Sequence, residues 1–513
     1  MEVAGVALAI VATIDLCFKY GQELIDACGA YKHADTKVSE RALRIESSWY
    51  RTSVQLNFIR QIHADLDDEL QDLQVRIYEI LVAKLRVATR KLNGLHKDGR
   101  NSSTKTLDWA TNVKKLKFVL TRQCLDEVVE DLELWQRTFD PTWFLVLRVA
   151  KPSIDEELSK RAPTVTLLDN IRNVRDTIKE QPATATSVFL PDTPLNTATE
   201  ESILYSSARC YRDTRAKRCH IVDRIPCTPE SKVGSMTRDV RGLAAKLRCV
   251  EPHKFGMLQC RGVIRNVQED KLASFDFVFR CPDGLEESPI SLRALILSEV
   301  KHSLGERVKL AQQLVTAVSY VHTLCFVHKS IRPETILGFG HGTSKLGSIF
   351  LVGFERFRNA DAHSMRIGDA AWEKDLYRHP ERQGVHPDED YRMQHDIYSL
   401  GVCLLEIGLW ESLLTYIAGQ GEPRPGVMLE QGQATLERRS PRRIKEQLVG
   451  LARHRLPRKM GDRYSDVVIN CLTCLDDDNV DFATHSDFED ADGVLVGVRY
   501  IEKILMKMED IRI

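Results

Sequence analysis

Apolar residues recur at three- and four-residue steps through the first third of the chain. Val3, Val6, Ile10, Ile14, Cys17, Phe18 and Ile25 predict one helix with a single buried stripe. Val54, Leu56, Ile59 and Ile62 mark a second; Leu66, Leu70, Leu73, Ile77, Ile80, Leu81, Leu85 and Ala88 a third; Leu116, Val119, Leu120, Val128, Leu132 and Trp135 a fourth. Each stripe can be hidden only against the others, so residues 1–150 are expected to form an antiparallel all-α bundle, with a loop from about Gly94 to Thr104. Between 151 and 202 the apolar pattern thins and Pro, Thr and Asp accumulate, which predicts a linker or brace. From 203 the texture changes to short strand-like runs such as Phe275–Pro282, and after Ser303 to long helices. That order predicts an α+β domain over 203–513, with a small sheet lobe over about 203–282 and a large helical lobe over about 283–513.

Composition narrows the partners. The 513 residues carry 72 Lys+Arg against 73 Asp+Glu, and the net charge of -1 gives no chain-wide field for nucleic acid. Thirteen cysteines, odd in number and mostly single, are expected to be reduced thiols in a cytoplasmic protein. Cys471 and Cys474 form a lone CxxC with no second pair, and Cys210, Cys219 and Cys227 lack ligand spacing, so no metal site is expected. The acidic stretch from Asp476 to Asp492 fails as a calcium loop. Placing Gly493 sixth puts Phe488 first and Arg499 twelfth, so it is expected to be a solvated loop. The opening MEVAGVALAIVATIDLCF has Glu2, lacks a basic leader and meets Asp15 and Lys19, so neither a secretion signal nor a membrane span is expected.

The run VHKSIRPETIL, Val327 to Leu337, resembles the catalytic loop of protein kinases, whose pattern is H-R-D-L-K-P-E-N. LVGFERF, YRHPERQG and HDIYSLGVCLLEIGLW follow in the order in which kinases place D-F-G, A-P-E and a buried helix opening on a structural Asp. The resemblance implies a bilobal kinase-like fold in which His328 and Phe354 stack in a hydrophobic spine, Asp396 holds the catalytic-loop backbone and Glu381 anchors the end of the activation segment. The departures fall on the chemistry. Ser330 stands where the resemblance implies the catalytic Asp, Arg332 where it implies the Lys, Thr335 where it implies the metal-binding Asn, and Gly353 where it implies the D-F-G Asp. A shifted alignment would offer Glu355 instead, at the cost of misplacing Phe354. No glycine occurs between Arg100 and Val233, so no G-x-G-x-x-G loop precedes the third strand, and Asp239 is the only acid from Ser231 to Val250. These losses predict a pseudokinase that is not an enzyme, with no catalytic residues and no required cofactor, ATP binding being doubtful.

The sequence MEVAGVALAIVATIDLCFKYG and the long helices after it resemble the HeLo domain of fungal HET-S/LopB-type proteins. With the kinase-like half, the layout is similar to that of mixed-lineage kinase-like cell-death proteins. The resemblance implies a membrane-targeting or oligomerising bundle switched by the kinase-like domain in fungal programmed cell death or incompatibility signalling. Expected partners are further copies of the chain, anionic lipids after recruitment to the plasma membrane, and an upstream protein. Lys84, Arg86, Arg90, Lys91 and Lys97, a basic run without an acid, are the candidate lipid contacts, and a solvated helix face is the alternative for them. Two other functions stay open: an atypical protein kinase that uses ATP through other residues, and a scaffold without enzymatic activity.

Overall fold

The computed structural model describes residues 2–29, 31, 35–97, 107–146, 148–149, 151–161, 168, 172, 174–176, 188–191, 198–213, 218–227, 233–269, 271–282, 288–340, 346–354, 358–359, 371–384, 391–416, 422–429, 440–482 and 494–512. The chain divides into two compact units, Met1–Arg172 and Asn173–Ile513. The loop predicted from Gly94 to Thr104 starts later than expected, because residues 94–97 continue the third helix; its remainder, Asp98–Thr104, and the alternative ligand Glu355 lie outside the described residues.

The first unit is built from α1 (Glu2–Gly29), α2 (Thr36–Ile62), α3 (Asp68–Lys97), α4 (Leu107–Val146) and α5 (Pro152–Arg161). The predicted stripes supply the core: Ile10, Ile14 and Cys17 from α1, Leu70, Leu73, Ile77, Leu81 and Leu85 from α3, and Val128, Leu132 and Trp135 from α4 are buried. Ile80, Val119 and Leu120 were expected in those stripes and are exposed. They lie to the side of a stripe about 100° wide, the width one helix face can hide.

Packing within the unit differs from a simple antiparallel arrangement. Cys17 reaches the Tyr78 carbonyl and Tyr31 the Leu92 carbonyl, a constant offset of 61 residues, so α1 and α3 run parallel. Arg41 pairs with Asp126 and Arg51 with Asp140, so α2 and α4 also run parallel. The antiparallel contacts are α1 with α2 and α3 with α4, the latter fixed by Trp135 donating to the Ile77 carbonyl at 3.0 Å and by Lys84 pairing with Asp131. Chain-adjacent helices therefore reverse direction, while the most extensive packing joins helices one apart in sequence. An aromatic cluster fills the centre: Trp135 stacks on Phe139 at 4.6 Å, and Tyr78 and Trp143 meet Phe139 edge-on or tilted. The segment 151–202, expected as a linker, contains α5, which packs on α2, and the start of the sheet described next.

In the second unit, β1 (Thr199–Ser202), β2 (Arg209–Asp213), β3 (Arg218–Pro226), β4 (Cys260–Gln268) and β5 (Lys271–Arg280) form a sheet of order β1-β2-β3-β5-β4, antiparallel throughout. Helix α6 (Val233–Arg248) joins β3 to β4 and packs on β4. Beyond it lie α7 (Leu304–Thr323), α8 (Met393–Leu409), α9 (Pro441–His454) and α10 (Asp462–Leu472). Ser303 starts α7 with a reciprocal capping box to Glu306, and α8 is buried along its whole length, its apolar residues in the core and its polar ones, such as Asp396 and Glu406, held by hydrogen bonds.

A buried ion cluster ties the helical lobe together. Arg293, 0% exposed, donates to Glu334 at 2.9 Å and to Glu406 at 2.6 Å, and also contacts Ser412 and Tyr377. Burial pushes the Glu406 carboxyl above its ordinary pKa against the pull of Arg293, which marks how much the charge depends on its partner. Removing one member leaves the others as uncompensated buried charges. Arg293→Ala should therefore destabilise the second unit by about 3–5 kcal/mol in a denaturant titration, whereas a loss below 1 kcal/mol would show that the cluster does not hold the lobe.

Candidate functional site

The segment Phe326–Thr335 crosses the base of the sheet lobe, and one carboxylate organises it. Asp396, in the first turn of α8 and 0% exposed, accepts from His328 N at 2.7 Å and Lys329 N at 2.9 Å. It also meets Tyr391 OH at 2.6 Å and His322 Nε2 at 3.3 Å. Lys329 sits in the left-handed region at φ 64°, a conformation that costs about 1–3 kcal/mol and persists where its surroundings impose it. The two amides that donate to Asp396 are that residue's own and the one before it.

His328 points the other way. Its Nε2 faces the Val352 carbonyl at 3.0 Å while Nδ1 lies 3.3 Å from Ser330 N, so the neutral tautomer donates from Nε2 and accepts at Nδ1. Its ring lies 4.8 Å from Phe354, which in turn lies 6.4 Å from Phe279 of β5. An aromatic column thus runs from the loop to the sheet.

Sequence reasoning did not find the group facing this column. Asp223, buried in the middle of β3, accepts from Gly353 N at 2.9 Å and Phe354 N at 3.0 Å through one oxygen. An acid on the same strand face as Ile221 and Ile225 was the available signal, because a buried strand carboxylate needs donors aimed at it. Gly353 is fitted to the same arrangement. Its φ is 84°, and a Cβ there would lie 2.2 Å from Thr335 Cγ2. The Thr335 hydroxyl lies 2.8 Å from the Ser330 carbonyl and accepts from Arg332 N at 3.2 Å, and Ser330 Oγ accepts from Arg332 Nε at 3.3 Å. Ser330, Arg332 and Thr335 are therefore brought together and bonded to one another, with Gly353 packed against Thr335 and bonded to Asp223. Here Ser330 Oγ, Thr335 Oγ1 and one oxygen of the Asp223 carboxylate accept from N–H groups.

Glu381 lies between two buried imidazoles, 3.3 Å from His379 Nδ1 and 4.0 Å from His395 Nε2. The opposite nitrogens face donors, His379 Nε2 the Lys445 ammonium at 3.1 Å and His395 Nδ1 the Arg392 amide at 2.8 Å. Both rings therefore turn N–H toward the carboxylate, a tautomer pair suited to anchoring Glu381 and opposed to ligating a cation. Those contacts hold the Glu381 carboxyl well below its ordinary pKa, and burial lowers His395 to about 4.

Other sequence candidates are dispersed. Lys84 and Lys91 pair with Asp131 and Glu127 of α4, and Arg86 lies over the Tyr20 ring, so these three face partners within their own unit. Arg90 is exposed on the same helix, and the Lys97 side chain is outside the described residues. The expectation that all cysteines are reduced is corrected by a disulfide between Cys219 and Cys281, which the pairing of β3 with β5 brings side by side. Cys471 and Cys474 are buried thiols. Within the acidic stretch, Asp476 pairs with Lys445 and Asp481 with Lys503 and Lys507, so its described part is tied down rather than simply solvated. Among the described residues no helix is long and apolar enough to cross a membrane.

No protein-family profile matches the chain. Among curated proteins, it is 33% identical over 112 residues to mouse eukaryotic translation initiation factor 2-alpha kinase 1, a match covering 19% of this chain and 16% of the relative. It is 30% identical over 115 residues to the Caenorhabditis elegans dual specificity mitogen-activated protein kinase kinase mek-1, covering 22% of this chain and 31% of the relative. The figures for the Aspergillus fumigatus mitogen-activated protein kinase kinase mkk2 are 30% over 126 residues, 24% of this chain and 23% of the relative. The chain thus spans less than a third of the length of these relatives. The C-terminal part carries a protein-kinase-like domain, preceded by a helical N-terminal region. These matches also correct the expectation that the chain is not an enzyme: the relatives are named protein kinases, which points to a kinase-family protein.

Two outcomes test the site's construction. Burial alone would push the Asp396 carboxyl up, but its hydrogen-bond partners outweigh burial and bring it below the ordinary value. The stabilisation is therefore complete above an ordinary carboxylate pKa of ~3.9 and is lost as pH falls through the lower folded value. Asp396→Asn should remove it at every pH, costing about 1–3 kcal/mol for each donor left facing an amide N–H and flattening the acid limb of the stability curve. Gly353→Ala should cost about 1–3 kcal/mol through overpacking against Thr335, read as a lowered denaturation midpoint, and a pairing with Thr335→Ser should recover part of it.

Proposed function

We propose that this chain is a kinase-family signalling protein whose C-terminal unit controls the N-terminal helical bundle. The observation that carries the reading is the bond from Asp223 to both amides of Gly353–Phe354. It couples β3 to the segment next to the catalytic-type loop, and any ligand or partner that competes for those amides shifts the segment's population. His328, Phe354, Glu381 and Asp396 are the scaffold of this switch, and Ser330, Arg332, Thr335 and Gly353 its altered cleft.

The bundle is proposed to be of HeLo type, with oligomerisation and plasma-membrane targeting in fungal cell-death or incompatibility signalling as its output. Support comes from the resemblance of its opening sequence and from the lysine pairs on α3. Breaking the part-buried Lys84–Asp131 and the more exposed Lys91–Glu127 pair itself costs only about 0.2–1 kcal/mol each, so the expense of turning α3 toward an anionic leaflet lies in the apolar core it shares with α4 rather than in these charges. Arg86, Arg90 and Lys97 would extend that face.

The test uses the full-length chain. Asp223→Ala removes the acceptor and should increase oligomer formation and leakage of phosphatidylserine-containing vesicles at least several-fold over the unaltered protein. Unchanged leakage and unchanged oligomeric state in a folded Asp223→Ala variant would overturn the reading. A second reading, an atypical protein kinase using ATP, is favoured by the names of the relatives. Incubation with γ-labelled ATP and a generic acceptor protein should then transfer label, and its complete absence across divalent cations would remove that reading.

A further inference from the structure

Three cysteines meet on one face of the sheet. Cys210 in β2 pairs across from Ile221, Cys219 in β3 lies two residues before Ile221, and Cys281 follows β5 two residues after Phe279, which pairs with Ile221. Side chains alternate between faces along a strand, so all three share the face that carries Asp223 and Phe279, the side turned toward Phe354. Cys219 is disulfide-bonded to Cys281, and Cys210 Sγ stands 3.3 Å from Cys219 Sγ on the other side. Cys210 is a free thiol with 1% exposure. One sulfur thus has a bonded neighbour and a second neighbour already at contact distance.

We propose that Cys210, Cys219 and Cys281 form a thiol–disulfide exchange site in which Cys219 changes partner between Cys281 and Cys210. Cys210 loses its proton, and its thiolate attacks Cys219 Sγ. The Cys219–Cys281 bond breaks, and the electron pair leaves on Cys281, which takes up a proton. One disulfide and one thiol are present before and after, so no external oxidant or reductant enters the step. The exchange has a positional consequence. Cys281 and Pro282 are the last described residues of β5's exit, where the chain leaves the sheet for the helical lobe. A Cys219–Cys281 bond ties that exit to β3, whereas a Cys210–Cys219 bond moves the covalent tie within the β2–β3 pair and frees the exit.

The experiment is disulfide mapping by mass spectrometry on the full chain, equilibrated in glutathione buffers from reducing to oxidising, quenched with acid and alkylated. In the unaltered protein, oxidising buffer should give two mutually exclusive products, Cys219–Cys281 with Cys210 alkylated and Cys210–Cys219 with Cys281 alkylated. Cys281→Ser should shift the population entirely to Cys210–Cys219. The proposal is overturned if Cys219 is joined to Cys281 alone in the unaltered chain, or if all three thiols alkylate in the most oxidising buffer. The unaltered-chain measurement decides the matter even if the serine variant does not fold.

Discussion

The Asp396 carboxylate sits at the start of a buried helix and is bonded to two consecutive backbone amides of the loop below the sheet. Without it, Lys329 would have no reason to stay left-handed, and His328 would not be aimed at the Val352 carbonyl. The loop's hydroxyls and guanidinium then bond to one another because the backbone has been placed for them. A buried charge with four partners is costly to assemble and costly to break, which fixes the conformation around it. The rest of the cleft is referred to that point: the aromatic column rises from it, and Asp223 secures the column's far side.

Asp223 and Gly353 are read best as a pair. A carboxylate projecting from the third strand needs donors, and a residue without a side chain at 353 exposes two successive amides to it. The negative charge here stands on the strand, and its bonds are to backbone, so its effect is on where the segment lies. In the His379–Glu381–His395 group, likewise, two imidazoles face one carboxylate, at 3.3 Å and 4.0 Å.

Much of the fold was legible because helices announce themselves by period. The four bundle stripes were visible in Ile10, Leu73, Leu132 and their neighbours, and the change to short strand-like runs pointed to a sheet-containing C-terminal part. Direction was not legible: nothing in a stripe says whether α1 meets α3 parallel or antiparallel, since that depends on which helices share a layer. In the site, His328, Phe354, Glu381 and Asp396 could be located from motif order, and the structure places each against named partners. Asp223 escaped because its meaning lies in donors 130 residues away. The disulfide escaped for a related reason: Cys219 and Cys281 are 62 residues apart, and only strand register makes them neighbours.

The close approach of Gly353 to Thr335 ties the two positions together. Any side chain introduced at 353 must find room where the threonine methyl already lies, and must also take up a left-handed backbone at φ 84°, which a residue with a Cβ adopts at a cost. A replacement at 353 alone is therefore crowded, whereas the same replacement made after residue 335 has been trimmed meets only the backbone cost. The order of the two changes decides which of them is tolerated.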